Sequence, residues 1–162
     1  MSSSVSINGS AYSVPQQGDS DWGNSLNAFL RAAAQLFAGI LTFGNAATPN
    51  STGTTYLRPV YKSATSDSTQ VTMRAPFAGK LKNLYIQAQT GPVGGSITFT
   101  LRKNFVDTGI TCTLANGFAQ TADTTHEVTV VAGDQLSLKA VSNAGVGTGA
   151  SEVIATIGLS PS

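Results

Sequence analysis

The chain has 162 residues, enough for one domain of ordinary size or one domain with an arm. Only 10% of its residues are charged, 9 basic and 8 acidic, for a net charge of +1, against about a quarter in a usual soluble domain. So little charge argues against the basic surface that nucleic acid requires and suits a chain packed against other protein, and a single cysteine, Cys112, excludes an internal disulfide.

Met1-Ser2-Ser3-Ser4 has no basic stretch followed by an apolar run, so no signal peptide is expected. Val5-Ser6-Ile7 and Tyr12-Ser13-Val14 flank Asn8-Gly9, a dipeptide that tolerates the positive φ values of a type I′ turn. The pattern predicts a hairpin arm over Ser2–Pro15, with Ile7 opposite Ser10 and Val5 opposite Tyr12. A lone hairpin is marginal in water, so the arm should lie on another surface.

A helix is predicted next, over Asp21–Leu41. Asp19 or Ser20 can cap it, and Asp21 places a negative charge at the positive end of the macrodipole. Trp22, Leu26, Phe29, Leu30, Ala33, Phe37 and Ile40 recur at spacings of three and four, a wide apolar stripe, and Gly44-Asn45 supplies a stop. Asn27, Arg31 and Gln35 interrupt the segment on one side, so it is not a membrane span. Burying such a stripe contributes roughly 1.5–3 kcal/mol per large side chain, whereas a solvated helix of this length is only marginal. The stripe should therefore have a partner. Two candidates stand: the chain's own sandwich, or another chain, which the low charge and the following linker favour.

Residues 48–55 have a Pro/Asn/Ser/Thr/Gly linker composition. Beyond them, short segments alternate apolar and polar residues, as in Ile97, Phe99 and Leu101 against Thr98, Thr100 and Arg102. Strands are predicted over Tyr56–Lys62, Val71–Arg74, Lys80–Gln89, Ser96–Lys103, Gly109–Leu114, His126–Val131, Gln135–Val141 and Glu152–Leu159. Eight antiparallel strands separated by Gly/Asn/Asp/Thr turns predict a mainly β fold, a jelly-roll β-sandwich. The expected organisation is an arm and helix over 1–47, a linker over 48–55 and the sandwich over 56–162.

Chemistry is sparse. The one histidine, His126, stands at a strand start beside Glu127 with no nucleophile in any local motif, so it reads as a surface histidine rather than a general base. Asp67, Asp107, Asp123, Asp134 and Glu152 fall in different turns, without the spacing of a metal loop. Gly91-Pro92-Val93-Gly94-Gly95 joins two strands and opens no helix, so it is not a phosphate loop. Cys112, on the apolar side of its strand, reads as a buried small hydrophobe. No enzyme activity, cofactor or metal is expected.

Two runs resemble known proteins. Ile7-Asn8-Gly9, Tyr12, Val14-Pro15, Gly18-Asp19 and Trp22-Gly23, followed by an Ala/Leu-rich helix, resemble a module at the front of many tailed-bacteriophage virion proteins. Ala75-Pro76, Gly79, Leu81, Leu84-Tyr85, Asn104, Asp107-Thr108-Gly109, Val130, Gly133-Asp134 and Leu136 resemble the trimeric jelly rolls of phage head and fibre proteins. The resemblance implies a capsid decoration (cement) protein on the outer surface of the virion. Such a protein would form a homotrimer bound to the major capsid protein, with neither nucleic acid nor membrane as partner. Buried aromatic and aliphatic anchors dominate such interfaces, which selects Val5, Ile7, Tyr12, Trp22, Leu26, Phe29, Leu30 and Phe37 for anchoring. A tail-fibre or adhesin head would share the architecture and take a glycan at the loops Gly91–Gly95 or Asn143–Ser151. A carbohydrate-active enzyme on a sandwich fold would require a carboxylate pair that the sequence does not display.

Overall fold

The computed structural model describes residues 3–7, 10–14, 24, 26, 30, 39–45, 53–60, 70–143 and 149–161. Eleven strands occur among them: β1 (Ser3–Ile7), β2 (Ser10–Val14), β3 (Gly39–Asn45), β4 (Gly53–Pro59), β5 (Met73–Arg74), β6 (Gly79–Gln87), β7 (Ile97–Lys103), β8 (Val106–Leu114), β9 (Gln120–Val130), β10 (Gln135–Ser142) and β11 (Val153–Pro161). β1 and β2 form a two-stranded sheet of their own, with Ile7 opposite Ser10 and Val5 opposite Tyr12, the register that the flanking residues predict.

The other nine strands make one antiparallel sheet in the order β8-β7-β10-β4-β3-β11-β6-β9, with β5 paired to β10. It bends into two wings, β8-β7-β10-β4 and β3-β11-β6-β9. At one corner only Phe43–Pro59 and Gly44–Arg58 pair, between β3 and β4. At the other, β8 and β9 come together without a ladder, and the sheet nearly closes. Alternate residues of both wings point inward into one core, in which Phe43, Phe99, Leu57, Leu81, Ile110 and Leu138 are completely shielded from solvent. Cys112 belongs to that core, where burial pushes its thiol up to about 12, with the Asp123 charge adding to the shift.

The end of the expected helix is corrected. Asn24, Leu26 and Leu30 are helical, but Gly39–Leu41 already belong to strand β3, and Gly44-Asn45 continue that strand instead of stopping a helix. Ile40 fits a three-and-four spacing from Phe37, yet Leu41 and Phe43 alternate with Ile40 and Thr42 at period two. A partner with the matching alternation decides the outcome: Leu41 pairs with Ile157 and Phe43 with Ala155 of β11. Residues 53–55, expected in a linker, likewise open β4, where Thr55 is buried. The strand expected from His126 starts six positions earlier, at Gln120, because β6 supplies a ladder that the polar run Gln120–Thr125 does not advertise.

The β7–β8 hairpin turns through two residues, Asn104 and Phe105, between the paired Lys103 and Val106. Both have positive φ, 49° and 69°, as a type I′ turn requires. Asn104 is suited to this, and its side chain also accepts from Gln135 N–H (2.8 Å) and donates to Asp134 (2.7 Å), tying two turns together. Phe105 has no such excuse: it is a bulky residue in the left-handed region with an exposed ring.

Two outcomes follow for stability. Phe43→Ala should cost about 3–5 kcal/mol and Ile40→Ala no more than about 0.5 kcal/mol, read from urea unfolding midpoints; equal costs would mean that this segment does not alternate as a strand. Phe105→Gly should raise stability by about 1 kcal/mol through release of turn strain, visible as a higher melting temperature.

Candidate functional site

The outer faces of the two wings differ in chemistry. On the β8-β7-β10-β4 wing the outward side chains satisfy one another. Thr98 and Thr100 hydrogen-bond Thr113 and Thr111 across the β7–β8 ladder at 3.1 and 3.2 Å. Arg102 lies 2.7 Å from Asp107 through Nε, donates to the Tyr56 hydroxyl (3.2 Å) and to Gln70, and stacks 5.9 Å from the Tyr56 ring centre. Lys139 pairs with the same Asp107, and its hydrogen bond is the main reason that carboxyl is held below its ordinary range. Gln70 also covers Ser137 (2.7 Å).

The β3-β11-β6-β9 wing presents something else. Thr42, Thr156, Tyr85 and Ala122 stand in one cross-strand row, with Gly44, Ile154, Gln87 and Gln120 in the next. Side chains in such rows share one face. Ile40 is 73% exposed, Tyr85 52% and Ile154 45%, large apolar groups at positions where alternation would place polar ones. Tyr85 is the wall shared by two surface hollows. One, of about 380 Å³, is also lined by Gln87, Gln120, Thr121 and Ala122. The other, of about 210 Å³, is also lined by Ile40, Asn83, Thr156 and Gly158. Among the described residues neither lining contains a charged side chain. Of the charged groups on this wing, Lys80 pairs with Glu127, and the exposed Lys82, next to Asn83 on β6, stands opposite Glu127 and Gly158 in the ladders.

Between these features lies the seam. Lys82 pairs with Glu127 and Leu84 with Asp123, so Asn83 alone opposes three residues of β9 in a bulge. Asp123, buried at the edge of the bulge opposite Leu84, accepts hydrogen bonds from the N–H groups of Thr111 (3.0 Å), Thr125 (3.1 Å) and His126 (3.2 Å), and lies 2.9 Å from His126 Nδ1. Burial pulls its pKa upward, but these donors outweigh it and hold the carboxyl well below the usual range. Thr111 belongs to β8, so the same carboxylate fastens β8 to β9. Its accepting capacity goes to closing the sheet, and the exposed His126 shares Nδ1 between this carboxylate and the Thr125 hydroxyl (3.2 Å). No group of three or more His, Cys, Asp or Glu side chains that could hold a metal occurs among the described residues.

The residues selected for anchoring fall at the other end of the chain. Val5, Ile7 and Tyr12 lie on β1 and β2, a ladder separate from the nine-stranded sheet; their side chains are outside the described residues. Trp22, Phe29 and Phe37 are also outside them. Leu26 is half-buried and Leu30 exposed. Of the two loops considered for a glycan, 144–148 lie outside the described residues. Gly91–Gly95 packs on the β8–β9 turn: Gly117 N–H donates to Pro92 O (2.8 Å) and Gly94 N–H to Asn116 Oδ1 (3.0 Å). A Cβ on Gly91 would sit 2.2 Å from Phe118 O, so only glycine permits this contact. The exposed Phe118 thus stands beside the loop, a neighbour that sequence separation conceals. Tyr85 and Ile154 carry a sequence signal, apolar residues at outward positions of alternating strands, whereas Ile40 reads as part of a helical stripe, and nothing in the sequence marks the three as neighbours.

No known protein-family model matches the chain, and no curated protein matches it.

The Asp123 seam makes a pH-dependent contribution whose sign is set by its depressed pKa. Stability from this group is complete above the unfolded value of about 3.9 and is lost as pH falls towards the lower folded value. Asp123→Asn should cost roughly 1–3 kcal/mol at pH 7, and the gap between wild type and variant should begin to narrow as pH falls below about 3.9 and close only towards the lower folded value. Denaturant titrations at pH 7 and through the acid range check this; a gap that does not narrow in acid would assign the loss to packing instead of charge.

Proposed function

We propose that this chain is a structural virion protein: a capsid decoration protein that binds the outer surface of a tailed-phage head and stabilises contacts between capsomers. The observation that carries the reading is the hairpin β1–β2, a two-stranded sheet whose hydrogen-bond ladder is separate from the nine-stranded body. Two strands alone are marginal in water, so such an arm gains stability from a surface to lie on. The helical positions 24, 26 and 30 follow it, within the stretch whose apolar residues recur at three-and-four spacing. The low charge of the chain and the uncharged lining of the hollows around Tyr85 suit a protein held among others.

Architecture supports the same reading. The strand orders β3-β11-β6-β9 and β4-β10-β7-β8, with most successive strands switching between wings and β7–β8 a hairpin within one, support a reading as interlocked Greek keys, that of a jelly roll. In this proposal the body forms a homotrimer standing outside the shell. The arm and an amphipathic helix reach the major capsid protein and sister subunits through Val5, Ile7, Tyr12, Trp22, Leu26, Phe29, Leu30 and Phe37. Three linked weak attachments raise the effective affinity without any single strong site. No chemical step is involved.

A second reading, a fibre or adhesin head binding a host glycan, gains one observation: the exposed Phe118 beside Gly91–Gly95 offers an aromatic surface at that loop.

Trp22→Ala should leave the melting temperature of the body within about 2 °C and weaken co-sedimentation with empty phage shells about tenfold or more. A folded variant that binds shells as wild type does would remove the helix from the attachment surface.

A further inference from the structure

We propose that the two hollows flanking Tyr85 form a binding site for a neutral sugar, on the face of the β3-β11-β6-β9 wing and apart from the loop end. The site does not rest on the attachment reading, because none of its residues belongs to the arm or the helix.

The chemistry of the lining points to this ligand class. A pyranose has one face of C–H groups and a rim of hydroxyls that both donate and accept. The first is complementary to an exposed aromatic ring, whose π face carries partial negative charge. The second is complementary to primary amides, which also offer both donors and an acceptor. Tyr85 supplies the ring, and Asn83 and Gln120 place amides in the two hollows. Neither amide has a hydrogen-bond partner among the described residues, so both are available to a ligand. Small neighbours, Ala122 on one side and Gly158 on the other, keep the space beside the ring open. The larger hollow, about 380 Å³, falls in the size range of small-molecule sites.

Two further features single out this place. Asn83 sits at the β6 bulge with φ of 58°, a left-handed backbone that costs energy and turns the residue out of the regular alternation. The strain is thus stored at a residue that lines the hollow. Among the described residues the lining itself has no carboxylate, ammonium or guanidinium, and the nearby exposed Lys82 is not part of it, so the lining suits a neutral ligand.

Affinity electrophoresis of the full chain tests the proposal. The gels contain dextran, laminarin, yeast mannan or arabinogalactan as probes, with alginate as the anionic control. Retardation by at least one neutral polysaccharide is expected. Tyr85→Ala and Gln120→Ala should weaken it about tenfold or more, while Tyr85→Phe, which keeps the ring, and Phe118→Ala, at the loop end, should retain it. Trp22→Ala should also retain it, so that loss of shell attachment and loss of sugar binding are separable. Melting temperatures of the Tyr85, Gln120 and Phe118 variants should match wild type, since these side chains face solvent. Retardation by none of the neutral probes, by alginate alone, or loss with Phe118→Ala but not with Tyr85→Ala would overturn the proposal. So would a Tyr85→Ala variant that binds sugar normally but has a lower mass by light scattering, which would make this face a contact between copies of the chain.

Discussion

The architecture depends on bending a nine-stranded antiparallel sheet until its ends meet. Within the described residues its core is filled by side chains of the strands, with Ala75, Ala88 and Ala150 added from the connections, so an open sheet would leave Phe43, Phe99 and their neighbours half wet. Two corners make closure possible. At one, β3 and β4 share only two residue pairs, a hinge short enough to turn the sheet sharply. At the other, no ladder joins β8 to β9, and a buried carboxylate replaces it. A charge in such a place is costly unless several donors surround it, and Asp123 has them from both strands. The bulge opposite Asn83 is the geometric consequence, because β9 must carry extra residues to bring Asp123 to its donors.

Closure also sets which surfaces remain for function. Once the inward residues are committed, the two outer faces are free to diverge. One carries paired threonine hydroxyls and an Arg102–Asp107–Lys139 network in which two cations share one carboxylate. Among the described residues the hollows around Tyr85 on the other are lined by uncharged groups, apolar side chains and the amides of Asn83 and Gln120. The first face has little left to offer a ligand; the second has both an aromatic surface and spare hydrogen-bonding capacity. The same bulge that serves the seam places Asn83 at the edge of that second face, so strain from closing the sheet and the chemistry of the face meet at one residue.

The hairpin arm stands outside this economy of closure. Its register follows from local turn chemistry, and its ladder ends with its own two strands. Among the described residues the body is stabilised by its own core, and the ladder of the arm does not join it.

Much of this was legible in the residues alone. Period-two alternation in β6, β7, β8, β10 and β11 is a local property, and the pairing of Ile7 with Ser10 follows from Asn8-Gly9; Cys112 on an apolar face is buried as that pattern implies. The segment around Ile40 was not legible, because Phe37, Ile40 and Leu41 fit a helical stripe as well as Leu41 and Phe43 fit a strand. Only the presence of Ile157 and Ala155 across the ladder decides between the two periods. The polar first half of β9 was hidden for the same reason: it is a strand because β6 accepts its hydrogen bonds, not because its own side chains seek a core. Tyr85, Asn83 and Gln120 are scattered in sequence and become one surface only through the β6–β9 and β6–β11 registers. Sequence by itself determines which faces of a strand are dry, since that depends on side chains a fixed two residues apart. Which strands lie side by side, and hence which outward groups meet, depends on pairings between distant segments, and only the closed sheet decides it.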